Sequence, residues 1–285
     1  MLISRRSAPL GLVLAALAAA LSLGGCAASQ KSAPVTSTNT MTTTTTMTTD
    51  TMTTNVIAPQ QQSCSTLHLP SEPKLADQHV HCALAIGDLT LDVSSDLPWS
   101  FSLQSRGSVI QRFREPTEEV GGTGVAPLLQ DIDDSGTPVL LVVTGRGGTG
   151  GEPMAVWRMT ASRDRFVRAG EMFGFRQFYR TTEGFFGNYA HSSAASGSVT
   201  LYRWADDKLV TVAVLDTQAA AAPGDESRAW VRTGDVLCAL SEDDDPPGAR
   251  AQRTAALQAA GVNPATAQQQ LCTQSWVASI YRGGR

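Results

Sequence analysis

The chain carries an uninterrupted apolar run, Val139-Leu140-Leu141-Val142-Val143, directly after the acidic turn Asp131-Ile132-Asp133-Asp134-Ser135-Gly136-Thr137-Pro138. Successive side chains of a strand point to opposite faces, so five apolar neighbours in a row require a layer of structure on both sides. The run is too short for a buried helix and is rich in β-branched residues, which makes it a central strand. From Pro127 to Met159 the pattern reads strand, acidic turn, strand, glycine-rich loop, strand. A mainly β domain packed around this segment is the expectation.

The acidic turn admits two readings. Asp131, Asp133 and Ser135 occupy positions 1, 3 and 5 of a loop with Gly136 at position 6, a spacing that aims several oxygens at one centre while glycine takes the bend. The Thr137 carbonyl would add a fourth ligand, and calcium is the cation such a loop suits. Position 9 is Val139 and position 12 is Val142, neither of which can ligate. The other reading is a turn in which the Asp and Ser side chains satisfy nearby backbone N–H groups.

At the start of the chain, Arg5 and Arg6 precede the apolar segment Leu10 to Leu23, the pattern of a secretory signal over residues 1–25. Leu23-Gly24-Gly25-Cys26 resembles the bacterial lipobox, which implies acylation of Cys26 and attachment to a lipid bilayer. Each buried CH₂ of such chains contributes ~0.8 kcal/mol, so several acyl chains anchor permanently. Ala27 in place of an aspartate points to the outer membrane, facing the periplasm. Between Thr36 and Thr54, thirteen of nineteen residues are threonine, too polar to bury a face. Residues 26–60 therefore read as a flexible tether with a reach on the order of 30–40 Å. O-glycosylation of the threonines is an alternative use of the same stretch.

Residues 61–285 are expected to form one β-rich domain. The net charge of -4 and pI of about 5.6, with no basic run, set aside nucleic acid as a partner. With Cys26 assigned to lipid, Cys64, Cys82, Cys238 and Cys272 form an even set in an oxidising compartment. Pairing Cys64 with Cys82 and Cys238 with Cys272 closes two short loops, each contributing roughly 3–4 kcal/mol. A metal site at His79, His81 and Cys82 competes with the first pair, but an oxidised thiol is a poor ligand.

Strand alternation marks Gln78–Ala85, Leu89–Val93, Val109–Phe113, Val199–Trp204 and Leu209–Val214, the last two joined by the polar turn Asp206-Asp207-Lys208. No fixed-period repeat is apparent. After Cys238 the character changes: Gly248 to Ala260 favours helix and stops at Gly261, and Asn263-Pro264 supplies an N-cap and first-turn proline for a second helix through Gln270. A helical hairpin over 247–275 closes the domain.

Catalytic signals are weak. His68, His79, His81 and His191 stand in no recognised nucleophile–base arrangement, and Gly145 to Gly151 lacks the Gly-Lys-Ser/Thr ending of a phosphate loop. Glu118, Glu119 and Glu152 are carboxylates that sequence cannot place. No enzymatic activity is expected. The segment Phe173 to Tyr189 holds five of eight phenylalanines and two of four tyrosines, interrupted by Arg176 and Arg180. Such residues fill cores or anchor interfaces; the mixed expectation puts Phe173, Phe175 and Phe178 inward, with Arg180, Tyr189 or His191 on an exposed loop.

Taken in order, Asp-Ile-Asp-Asp-Ser-Gly-Thr-Pro-Val-Leu-Leu-Val-Val, Ala-Val-Trp-Arg-Met, Asp-Arg-Phe-Val and Leu-Tyr-Arg-Trp-Ala-Asp-Asp-Lys-Leu-Val-Thr-Val resemble a family of bacterial periplasmic β-propeller-like lipoproteins. That family's signature is an acidic turn before a buried strand and a late Tyr-x-Trp hairpin, here spanning about Leu128 to Asp216. The resemblance implies a propeller-like fold or stacked antiparallel sheets, calcium held by Asp131, Asp133 and Ser135, and inhibition of lysozyme-like peptidoglycan hydrolases that gives immunity to secreted effectors. Its inhibitory loops do not map residue by residue, and the helical hairpin departs from the pattern. An envelope structural or adaptor lipoprotein without inhibitory activity is the alternative from another class.

Overall fold

Short polar turns set the topology, because each joins two alternating segments into an antiparallel hairpin. A computed structural model of the chain describes residues 62–67, 80–95, 99–116, 125–145, 147–222 and 228–281. All belong to one compact unit, Val56–Arg285. The signal segment, Cys26, the threonine tether, His68, His79, Glu118 and Glu119 lie outside the described residues.

The first sheet is the meander β1 (His81–Ile86), β2 (Leu89–Ser94), β3 (Trp99–Ser105) and β4 (Ser108–Glu115), paired in that order. Its third turn uses Arg106 at φ 48° and Gly107 at φ 78°, the double positive-φ geometry that matches the twist of a two-residue hairpin. The second sheet repeats the plan with β5 (Leu128–Gln130), β6 (Val139–Val143), β7 (Glu152–Met159) and β8 (Phe166–Gly174). The third begins as another meander, β9 (Phe178–Arg180), β10 (Phe186–Ser193), β11 (Ser196–Ala205) and β12 (Lys208–Ala219). It is extended by β13 (Val231–Thr233) and β14 (Val236–Leu240), with β14 inserted between β12 and β13. Three successive antiparallel sheets fit a propeller-like description, although the sequence carries no repeat.

The stacking follows from side-chain alternation. On β6, Leu140 and Val142 pack with Leu91, Phe101 and Leu103 of the first sheet. Val139, Leu141 and Val143 pack instead with Phe186 and Tyr202 of the third. All five are at most 2% exposed, so the apolar run is buried on both faces, as its composition requires. The outer face of the third sheet is covered by α1 (Ala249–Ala259) and α2 (Pro264–Cys272), through Val212, Leu215, Leu257 and Leu271.

That helical segment stops and restarts as the sequence suggests, with α1 one residue shorter at each end and α2 running two residues further. Gly261 at φ 79° donates to the Gln258 carbonyl, and Val262 donates to that of Leu257, a Schellman closure in which buried Leu257 and Val262 also meet. Asn263 then caps α2, its Oδ1 accepting from Ala265 N at 3.0 Å. Cys238 is bonded to Cys272, tying β14 to the end of α2, and Cys64 to Cys82, tying a short 3-10 turn (Cys64–Thr66) to β1.

A buried charge joins the first two sheets. Glu115, 1% exposed at the end of β4, accepts from Trp157 Nε1 at 2.7 Å and from Arg168 Nε at 3.0 Å. The carboxylate is thus fully partnered, which a buried charge needs to be tolerated.

Two substitutions separate the core from the rim in urea or thermal unfolding. Leu141→Ala should cost about 2–5 kcal/mol, whereas Ile110→Ala, at a residue 44% exposed, should stay within about 0.5 kcal/mol.

Candidate functional site: an aromatic pocket beside a glycine loop

The chain passes from the second sheet to the third at Gly174, and the passage is tight. A Cβ there would lie 2.5 Å from the Tyr189 carbonyl oxygen and 2.6 Å from Asn188 Nδ2, with φ at 140°. Only glycine fits. Immediately after it, Phe175 N donates to Tyr189 O at 2.8 Å, and Asn188 Nδ2 donates to Phe175 O at 3.1 Å. Phe175 is therefore held by the backbone of β10 and does not depend on loop order.

Phe175 lines a cavity of about 450 Å³ with Gln177, Tyr179, Tyr189, His191 and Tyr281. The His191 ring meets Phe175 edge-on at 5.1 Å, and its Nδ1 is 3.0 Å from the Tyr189 hydroxyl. Burial pushes the Tyr189 phenol well above its ordinary value, and the Tyr281 hydroxyl beside it adds to the shift, so Tyr189 remains a protonated donor. Tyr281 in turn donates to the Thr217 carbonyl at 3.0 Å. The floor is thus a fixed chain of polar tips under apolar rings, a lining suited to gripping a side chain.

The glycine loop between β6 and β7 forms the neighbouring rim. A Cβ on Gly147 would come 2.8 Å from Phe173 Cζ, and one on Gly151 would come 2.9 Å from the same atom. Phe173 therefore lies against bare backbone, yet it keeps 43% of its surface exposed. Thr149 Oγ1 donates to His191 O at 2.8 Å and pins the loop to β10. Glu152, one of the carboxylates considered for catalysis, is paired with Arg176 at 3.0 Å.

These positions correct the expected split of the aromatic segment. Phe173 is exposed, while Tyr189 is only 4% exposed. The alternation along β8 decides this: Met172 and Gly174 face the third sheet, which turns Phe173 outward. Arg180 is not on a free loop either. Its Nη2 donates to Asp131 O and to Asp134 Oδ1, each at 3.2 Å.

Arg180 thereby leads to the acidic turn, whose oxygens are largely engaged. Asp131 Oδ2 accepts from Gly136 N at 2.8 Å, Asp133 Oδ1 from Ser135 N at 3.2 Å, and Ser135 Oγ from Thr137 N at 3.2 Å. Asp133 Oδ2 accepts from Trp204 Nε1 at 2.6 Å. The acidic turn and the Tyr-x-Trp hairpin, distant in sequence, are joined by this bond, and Arg158 stacks over the Trp204 ring at 4.5 Å. Asp131, Asp133, Ser135 and the Thr137 carbonyl would offer four ligand groups holding six oxygens between them, where calcium takes about six to eight, with the Arg180 guanidinium alongside. The bonds present close the turn on its own side chains and on Trp204.

Burial opposes ionisation of Asp133, but hydrogen bonds from Ser135 and Trp204 outweigh it and hold its carboxyl below the usual 3.8. A lowered folded value contributes stability that is present above the unfolded value and lost as pH falls through the folded one. Acid titration of the melting temperature below about pH 4 should therefore be shallower in Asp133→Asn than in wild type. The cation reading expects calcium to raise the wild-type melting temperature and EDTA to reverse it, with the rise abolished by Asp131→Ala plus Asp133→Ala; no rise would leave the turn closed by its own side chains alone.

No protein-family model matches the chain, and no curated protein matches it. Among solved structures, a Xanthomonas type IV secretion system related protein overlays with a TM-score of 0.35 at 14% identity, over 54% of this chain and 88% of its own. An overlap this low carries no argument about function.

Proposed function

We propose that this chain is an envelope-anchored binding protein that inhibits lysozyme-like peptidoglycan hydrolases. The observation that carries the binding half is Phe173, a large ring left 43% exposed against Gly147 and Gly151, beside an aromatic pocket. Exposed aromatic anchors with a pre-formed surround are the residues that dominate protein interfaces, and pre-organisation lowers the ordering cost of association. Location and partner class rest on the sequence. The lipobox at Cys26 and the threonine tether would hold the domain near the membrane, within reach of enzymes acting on the wall, and the resemblance supplies hydrolase inhibition.

In this reading Phe173 enters the partner's cleft, and Phe175, Gln177 and His191 grip a partner side chain. The fixed Tyr189–His191 pair offers hydrogen bonding at the pocket's base. The partner's loss of activity follows from occlusion, with no chemical step by this chain.

The test is the turbidity loss of peptidoglycan suspensions under a panel of lysozyme-like hydrolases, with and without the purified full-length protein. Stoichiometric protection is expected, and Phe173→Ala should weaken it by about 2 kcal/mol or more, roughly thirtyfold in the inhibition constant. A complex on gel filtration without protection would instead indicate an envelope adaptor. Protection unaffected by Phe173→Ala would remove the pocket rim from the interface.

A further inference from the structure

Tyr281 and Ala219 line two cavities, the aromatic pocket and a neighbour of about 590 Å³. The Tyr281 ring therefore stands between them as a partition. Its hydroxyl is engaged: it donates to Thr217 O at 3.0 Å and lies 3.1 Å from Thr217 Oγ1. A phenol pinned at its tip, with a cavity on either side, offers its ring faces to a ligand and keeps its polar tip against the sheet.

The other walls of the pocket are aromatic too. Tyr179 is backed by Trp276, stacked on it with ring centroids 4.9 Å apart. Tyr189 stands nearly perpendicular to Tyr281, at 85°, and to His191, at 78°. With Phe175, five rings bound one space from several directions. The face of an aromatic ring carries the negative part of its quadrupole, so rings set around one space act together on a cation held there.

The charges nearby do not oppose that attraction. No acid, lysine or arginine lines the aromatic pocket. Arg176, next in sequence to Phe175, is paired with Glu152 at 3.0 Å. The neighbouring cavity carries Arg232 and Asp235, one charge of each sign, and selects for neither. The chain's net charge of -4 favours the approach of a positive partner.

Gln177 narrows the class of cation. It is exposed in the pocket lining, and its amide has no hydrogen-bond partner among the described residues. An amide oxygen accepts from N–H groups and gains nothing from a quaternary ammonium, which has none. A guanidinium is flat and weakly hydrated, stacks on aromatic faces and carries five N–H donors at its edge. It can use a ring and an amide at once.

We propose that the aromatic pocket takes the guanidinium of an arginine side chain on the protein partner, stacked against Tyr281 and donating to Gln177. This rests on the binding role proposed above for the same pocket and gives the gripped side chain its chemistry.

The experiment is saturation-transfer NMR of the purified full-length protein with Nα-acetyl-arginine amide as the probe. The citrulline analogue, which keeps the shape and loses the charge, and tetramethylammonium are the comparisons. The arginine probe should bind in the millimolar range, as one side chain allows, and the citrulline analogue about tenfold more weakly or worse. Tyr281→Leu should abolish arginine binding, and Ile110→Ala, on the first sheet, should match wild type. If Tyr281→Leu lowers the melting temperature, the exposed Gln177 carries the comparison: Gln177→Lys should weaken arginine binding by about tenfold and Gln177→Glu should strengthen it. The proposal is overturned if the arginine probe does not bind, if citrulline binds as well, if tetramethylammonium binds more tightly, or if Gln177→Lys changes nothing. Protection of peptidoglycan by a protein that ignores the arginine probe would overturn this inference alone. Arginine binding without protection would overturn the inhibitor reading alone.

Discussion

Strand β6, at the centre of the second sheet, has no face to give to solvent. Leu140 and Val142 belong to one core and Val139, Leu141 and Val143 to another, so the sheets on either side must both be present for β6 to be satisfied. A layer with two apolar faces couples its neighbours, because loss of either one exposes a full row of side chains to water. It also restricts where function can reside. With β6 and the inner faces of its neighbours consumed by packing, the surfaces left for recognition are the turns, the passage between sheets and the outermost sheet face.

Polar groups buried at the layer junctions make the stacking specific. Glu115 reaches from β4 to Trp157 and Arg168 of the second sheet. Asp133 reaches from the acidic turn to Trp204 of the third, and Arg180 reaches back to the same turn. Apolar layers alone can slide with little change in buried area. A partly buried carboxylate cannot, since displacement strands its charge without a donor. The acidic turn thus works as a lock between sheets, a use of its oxygens that competes directly with a cation.

The aromatic pocket is partly open, and its front residue Phe175 is held to β10 by one main-chain bond to Tyr189 and one from the Asn188 side chain, with a protonated phenol at the base. A partly open apolar pocket with fixed polar tips suits one protruding side chain.

Much of the architecture was legible in local chemistry. Val139 to Val143 could only be a strand covered twice, Asp206-Asp207 could only be a tight turn between β11 and β12, and Asn263-Pro264 after Gly261 could only end one helix and start another. Each of these depends on residues within a turn or a strand of one another, and such short-range rules act before the chain has a tertiary fold. Strands β8, β9, β10 and β13 were not read, because their alternation is broken by glycines, serines and half-buried arginines whose tolerance depends on neighbours from other layers; β3, Trp99-Ser100-Phe101-Ser102-Leu103, alternates cleanly and was legible though unread, and β14 is a short apolar run whose state only its neighbours decide. The same limit applies to the site. That Phe173 faces out and Tyr189 in, that Asp133 meets Trp204 instead of a free ligand position, and that Tyr281 stands beside Tyr189 are decided by register and stacking. Sequence alone determined which segments extend, turn or coil and which must be buried; tertiary structure decided which side chains share a space, because that requires residues far apart in the chain to be packed together.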